Sequence, residues 1–135
     1  MILVDTTVLV DLLKGRENEK TKLLEGAISN NIPFGIASYT YQEVLQGARD
    51  ETEYLKLREY LSTQRIYFLP ETVETYERAA EMFFMLRRQG VTIRSTIDIL
   101  IAQTAIENDL YLLHNDRDFD LISQKGTGLK QFDHF

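Results

Sequence analysis

An α/β fold, a single-domain parallel sheet of about five strands flanked by helices on both faces, is predicted by two features of this sequence. Short, wholly apolar runs recur along the chain, and between them lie longer segments whose apolar residues repeat every three or four positions. Runs of the first kind have the character of strands buried on both faces, and segments of the second kind are amphipathic helices able to cover them. Only two prolines, Pro33 and Pro70, interrupt the 135 residues, and no repeat, low-complexity run or linker divides them, so one domain over 1–135 is expected.

The elements follow in order. Ile2-Leu3-Val4 is the first strand, and Thr7 to Lys14 is a helix that Gly15 stops. A second helix over 19–30 places Leu23, Leu24, Ala27 and Ile28 on one side, and Pro33 leads into a strand near Gly35-Ile36-Ala37. Helical spacing returns from Tyr41 to Ala48 and from Glu51 to Ser62, the latter through Tyr54, Leu57 and Leu61. Ile66 to Leu69 reads as a strand stopped by Pro70. A long helix up to Gly90 is expected to turn Val73, Tyr76, Ala80 and Phe83 inward. Its run Met82-Phe83-Phe84-Met85-Leu86 covers more than one face, so part of it exceeds what a monomer core buries. Ile97, Leu100, Ile101, Thr104 and Ala105 form the stripe of the next helix. Tyr111-Leu112-Leu113 is a further strand, a short helix spans Arg117 to Ser123, and a last strand lies near Leu129 to Phe132.

Composition narrows the chemistry. The absence of cysteine removes disulfides, zinc-thiolate sites, iron–sulfur clusters and thiol catalysis, and fits a reducing cytoplasm. Two histidines leave little room for imidazole chemistry. No basic leader opens the chain and no window has the roughly 18 apolar residues that span a bilayer, so a cytoplasmic protein without membrane contact is expected. The 15 Lys+Arg against 21 Asp+Glu give a formal charge of −6, which argues against nucleic-acid binding through bulk charge.

Open parallel sheets bind ligands beyond the carboxyl ends of their strands. Asp5 directly follows the first strand, Glu43 lies early in the helix after the second, Asp98 opens the helix carrying Ile97, and Asp116 comes shortly after Leu113. Each has an ordinary structural role to weigh against a chemical one. Ser95-Thr96-Ile97-Asp98 is a capping-box pattern, Asp116 and Asp5 stand where N-caps stand, and Glu43 alone reads as a solvated helix residue. The coincidence is what counts: acids from four separate segments at one sheet edge repel unless divalent cations join them. With no cysteine and little histidine, a hard ion such as Mg²⁺ or Mn²⁺ is the one indicated.

The ordered set Val4-Asp5-Thr6-Thr7-Val8-Leu9, Tyr41-Gln42-Glu43-Val44, Ser95 to Ala102, and Leu113-His114-Asn115-Asp116-Arg117-Asp118-Phe119 resembles the PIN-domain nucleases, and more narrowly the VapC-type toxins of type II toxin–antitoxin systems. The resemblance spans nearly the whole chain; its specificity lies in the order of the segments, not in any one of them. It implies that Asp5, Glu43, Asp98 and Asp116 form a metal-holding acidic quartet, with Asp5 and Asp98 the strongest candidates for direct ligands and Glu43 and Asp116 binding through water or positioning the nucleophile. Thr6 or Thr7 would supply the small hydroxyl that hydrogen-bonds the quartet, Ser95 would support Asp98, and Asp118 would be an additional acid, while Asp120 reads as a solvated helix residue. His114 departs from the Thr or Ser common at its position and is expected to be packed or hydrogen-bonded, not a ligand; His134 carries no argument.

The same resemblance implies Mg²⁺-dependent hydrolysis of RNA phosphodiesters, leaving 5′-phosphate and 3′-hydroxyl ends, with Mn²⁺ able to substitute. It also implies a homodimer and a groove, lined partly by the helices between Tyr41 and Leu61, that accepts an amphipathic antitoxin segment. Lys14, Arg16, Arg94 and Arg117 flank the acids in sequence and are the candidate RNA contacts. Two other classes fit the residues less well. Phosphoryl transfer through an aspartyl-phosphate lacks a second acid two residues after Asp5 and a lysine soon after Leu113, and an inert interaction domain would be free to lose one of the acids.

Overall fold

The computed structural model describes residues 1–135. Its elements are β1 (Ile2–Val4), α1 (Thr6–Leu13), α2 (Glu19–Ser29), β2 (Phe34–Ala37), α3 (Ser38–Gln46), α4 (Glu51–Leu61), β3 (Arg65–Tyr67), α5 (Val73–Arg88), α6 (Thr96–Glu107), β4 (Tyr111–Leu113), α7 (Arg117–Gln124) and β5 (Lys130–Gln131). The five strands form one sheet in the order β3-β2-β1-β4-β5, and every pairing is parallel. The α/β fold expected from the alternation of apolar runs and helical stripes is therefore the one observed.

Period-two alternation along the strands splits the core in two. Leu3, Ala37, Tyr67 and Leu112 pack with α5, α6 and α7 on one face, where Phe119 and Ile122 are fully buried. Ile2, Val4, Ile36 and Leu113 pack on the other face with α1, α2, α3 and α4 through Val8, Leu9, Leu24, Val44 and Leu61. Strand β1 is thus covered on both sides along its whole length, which is what an unbroken apolar run demands.

Three helices differ from the sequence expectation. On α5 the inward residues are Thr75, Ala79 and Leu86, flanked by half-buried Met82 and Phe83, while Val73, Tyr76 and Ala80 face outward. The core takes the stripe one residue out of phase with the expected one, through Thr75, Ala79, Met82 and Leu86. Phe84 and Met85 are left exposed, as the five-residue apolar run requires. Helix α6 is buried on every side from Ile99 to Ala105, so its apolar stripe was one face of an element with no solvent face over two turns. Ile28, expected inside α2, is exposed.

A close approach fixes the β2–β3 pairing. A Cβ on Gly35 would stand 2.7 Å from the Arg65 carbonyl oxygen and 2.7 Å from the Tyr67 ring. Gly35→Ala is therefore expected to cost about 1–3 kcal/mol, since backbone and a buried ring cannot both yield. Gly47→Ala, where the nearest atom is the Val44 carbonyl oxygen at 3.4 Å, should stay within about 0.5 kcal/mol of the parent. Denaturant midpoints of the two variants check the contrast, and equal midpoints would refute it.

Candidate active site

Strand β1 ends at Val4, but the Asp5 amide still donates to the Leu113 carbonyl at 2.9 Å, so Asp5 is held at the carboxyl edge of the sheet between β1 and β4. It occupies the N-cap position of α1 without its side chain closing a cap hydrogen bond. Its carboxylate is 4 % exposed, and burial raises its pKa to about 7. The nearby Thr6 and Thr7 amides oppose that rise, and the charges of Asp98 and Glu43 add to it.

Around Asp5 stand the other acids. Thr6 donates its hydroxyl to Glu43 Oε1 at 2.7 Å and lies 3.1 Å from the Thr40 hydroxyl, joining the first turns of α1 and α3. Thr7 is exposed and makes no such contact, so Thr6 is the hydroxyl that engages the acids. On the other flank, carboxylate oxygens of Asp98, Asp116 and Asp118 all lie within 4.8 Å of one another. Burial, then the charges of Asp116, Glu43 and Asp118, pushes the Asp98 pKa up to about 6.

The capping alternatives resolve residue by residue. Ser95 caps α6 by accepting from the Asp98 amide at 3.4 Å, but the reciprocal bond from the Asp98 side chain is absent, so that carboxylate is uncommitted. Asp116 does cap α7, accepting from the Asp118 amide at 2.9 Å, and this fixes one of its oxygens while turning Asp118 into the cluster. His114 is buried and acts as a brace: its Nδ1 accepts from the Asp116 amide at 3.1 Å, leaving a proton on Nε2, which lies 2.5 Å from Gln131 Oε1. Burial lowers its pKa, and it is not a member of the acidic cluster. Asp120 is half exposed and lies 3.6 Å from the His114 ring, while His134 is exposed beside Asp133.

The basic candidates separate into two pairs. Lys14 and Arg16 line a groove of about 610 Å³ that Glu43 also lines, together with Arg49 and Glu53. Arg94 and Arg117 are exposed near Asp98 and Asp116 and form no ion pair. Asp11 and Arg49 were not singled out from the sequence. Asp11 was recoverable in principle, as the one acid inside the apolar run Val8 to Leu13.

The donor set suits a hard divalent cation, being all oxygen and all carboxylate; burial first, and then the neighbouring acids, raises the pKa of Asp98 to about 6 and that of nearby Asp5 to about 7. An all-parallel 3-2-1-4-5 sheet carrying such a cluster at its carboxyl edge defines an α/β protein with a carboxylate site of the kind that binds metal. The chain belongs to the PIN-domain family, whose model matches residues 2–125. Ribonuclease VapC11 of Mycobacterium tuberculosis is 26% identical over 125 residues, covering 92% of this chain and 92% of that protein. Ribonuclease VapC51 of the same organism is 36% identical over 81 residues, 60% of this chain and 58% of the relative. Among solved structures, VapBC2 from Rickettsia felis bound to a promoter DNA fragment matches with a TM-score of 0.73 at 19% identity, over 98% of both chains. A toxin–antitoxin complex from Klebsiella pneumoniae matches with a TM-score of 0.62 at 28% identity, over 88% of this chain and 90% of that one.

The raised pKa values carry a sign. A carboxyl that binds its proton more tightly folded than unfolded adds stability at low pH, and that stability fades as pH rises from about 4 towards 7. In EDTA the melting temperature should therefore fall across this window, and the rise on adding Mg²⁺ should be larger at about pH 7.5 than at pH 5. Asp5→Asn should stabilise the metal-free protein at the higher pH, by about 2 kcal/mol. Thermal denaturation with and without Mg²⁺ checks all three, and a metal-free melting temperature that climbs through the window would contradict them.

Proposed function

We infer that this chain is a divalent-metal-dependent endoribonuclease, a single nuclease domain over residues 1–135 acting as the toxin of a toxin–antitoxin pair in the cytoplasm. The observation that carries the reading is the convergence of Asp5, Glu43, Asp98, Asp116 and Asp118 on one sheet edge, where two of the acids are forced towards protonation. The VapC names of the relatives and the toxin–antitoxin titles of the structural neighbours support the class.

Asp98 and Asp116 would hold Mg²⁺, or Mn²⁺ in its place, with Asp118 beside them and Asp5 and Glu43 completing the ring. When bound, the cation supplies water acidified for attack on phosphorus and offsets charge gathering on the phosphate oxygens. Thr6 holds Glu43 in one orientation through its 2.7 Å hydrogen bond, so that the second Glu43 oxygen can orient or deprotonate water. Ser95 fixes the first turn of α6 and with it the Asp98 backbone. Attack of water on phosphorus with breaking of the P–O3′ bond, the departing 3′ oxygen taking up a proton, would leave a 5′-phosphate and a 3′-hydroxyl. Arg94 and Arg117, exposed beside the acids, and Lys14 and Arg16 in the groove bring the RNA backbone to the site. The groups that perturb Asp5 are carboxylates and not a cation, which weighs against the aspartyl-phosphate alternative.

A cognate antitoxin would dock on the helices between Tyr41 and Leu61, where Tyr54 and Leu55 project into solvent. The outward apolar residues of α5, Val73, Tyr76, Phe84 and Met85, support a homodimer. No helix is long and apolar enough to cross a membrane.

Asp5→Asn and Asp98→Asn are each expected to lower RNA cleavage in Mg²⁺ by roughly 100-fold or more while the far-ultraviolet spectrum is kept. Asp118→Asn should cost about tenfold and Asp120→Asn almost nothing. Mapping the ends of cleaved labelled RNA tests the products, and undiminished cleavage by Asp5→Asn in EDTA would sink the reading.

A further inference from the structure

The loop between α1 and α2 contains a small, fully satisfied polar network that the acidic site does not explain. Asp11, 9 % exposed on α1, accepts from Arg16 Nη1 at 3.2 Å through one oxygen and from Asn18 Nδ2 at 3.1 Å through the other. Asn18 is itself fixed, its Oδ1 accepting from the Lys20 and Thr21 amides at 2.9 Å in the capping box of α2. The Arg16 amide donates to the Asp11 carbonyl at 2.9 Å, and Gly15, at φ +71°, makes the turn between them. Burying a carboxylate costs stability unless it is paired, so a network of this kind at a loop needs a reason.

Its effect is to hold a guanidinium at the wall of the groove that opens onto Glu43. The Arg16 side chain remains 61% exposed, and only one of its five N–H donors is spent on Asp11. Arg49, at the α3–α4 junction, also lines that groove, with 84% of its side chain exposed and only its Nε and Nη2 engaged by Glu53. The groove thus carries Lys14, Arg16 and Arg49 against two acids, one of which belongs to the acidic site and the other to Arg49. In a chain of charge −6 this is a local reversal of sign.

We propose that Arg16 and Arg49 form a two-armed clamp for a backbone phosphate of single-stranded RNA next to the scissile one, and that Asp11 and Asn18 are positioning residues that set the Arg16 arm. A polyanion is favoured because the groove leads to Glu43 and carries three cationic side chains, with Val10, Leu13, Val44 and Leu57 as the apolar part of its lining. The proposal rests on the ribonuclease reading and adds the path by which substrate enters.

The test uses the full chain and a fluorophore-labelled single-stranded RNA, with kcat and KM read separately across a KCl series in Mg²⁺, and binding read by anisotropy with Ca²⁺ replacing Mg²⁺. Arg16→Ala and Arg49→Ala should each raise KM and Kd roughly tenfold, leave kcat within about twofold, and make the salt slope shallower by about 0.7. Arg16→Lys should keep the salt slope and still raise KM, because the charge survives and the fork does not. Asp11→Asn removes a negative charge, which by long-range electrostatics alone would tighten RNA binding; weaker binding in this variant identifies positioning. Cleavage by the parent with KM and slope unchanged in both arginine variants overturns the clamp and leaves the ribonuclease reading intact. A parent that binds RNA through the two arginines but does not cleave it sustains the clamp and strikes the activity, and one that neither binds nor cleaves refutes both.

Discussion

Asp5 leaves β1 with its amide still in the β1–β4 ladder, and the residue is buried at the carboxyl edge of the sheet. The rest of the site is organised around that confinement. A carboxylate so placed is costly, and in the metal-free chain the cost shows as a pKa raised to about 7, with burial as the leading cause. The surroundings do not relieve it with a lysine or arginine. They add Asp98 and Glu43, which raise it further. An edge that accumulates like charges and withholds the counter-charge is arranged for a ligand that brings one.

Sheet order explains how the acids arrive. With β1 in the middle of the order β3-β2-β1-β4-β5, the chain leaves the sheet on one side of β1 to build α1 and α3, and on the other to build α6 and α7. The first group delivers Glu43, held by Thr6; the second delivers Asp98, Asp116 and Asp118. Asp5 stands at the switch between them, where an open parallel sheet has its crevice. His114 ties the two strands on the far side together by bonding both the Asp116 amide and Gln131, so the loop after β4 is braced without the ring entering the acidic cluster.

The sequence made the alternation of strands and helices readable because strands buried on both faces leave unbroken apolar runs, as Ile2-Leu3-Val4 does. The acids nearest strand ends were readable for the same reason: the fold class says where to look. The phase of α5 was not readable. Two apolar stripes compete on that helix, and which one turns inward depends on what α6 offers, which is not a property of the segment itself. The capping box at Ser95 was half right in an instructive way. The hydroxyl caps, but the acid at the third position makes no reciprocal cap and lies instead among acids that come from distant parts of the sequence. Arg49 stayed hidden because the groove wall it lines is made by packing α1 against α3 and α4, and no local pattern announces it.

The formal charge of −6 takes on a different meaning once its parts are placed. Acids concentrated at one sheet edge repel an approaching polyanion until cations bind, so long-range attraction cannot come from the molecule as a whole. Over the short range that salt leaves unscreened the near field is what matters, and there Lys14, Arg16 and Arg49 line the groove beside Glu43, while Arg94 and Arg117 are exposed close in sequence to Asp98 and Asp116. Charge is therefore divided by position: negative where the carboxylates meet at the sheet edge, positive along the groove wall. Asp11 does not violate the division, because its carboxylate is buried and both its oxygens are engaged, one of them by the guanidinium it holds in place.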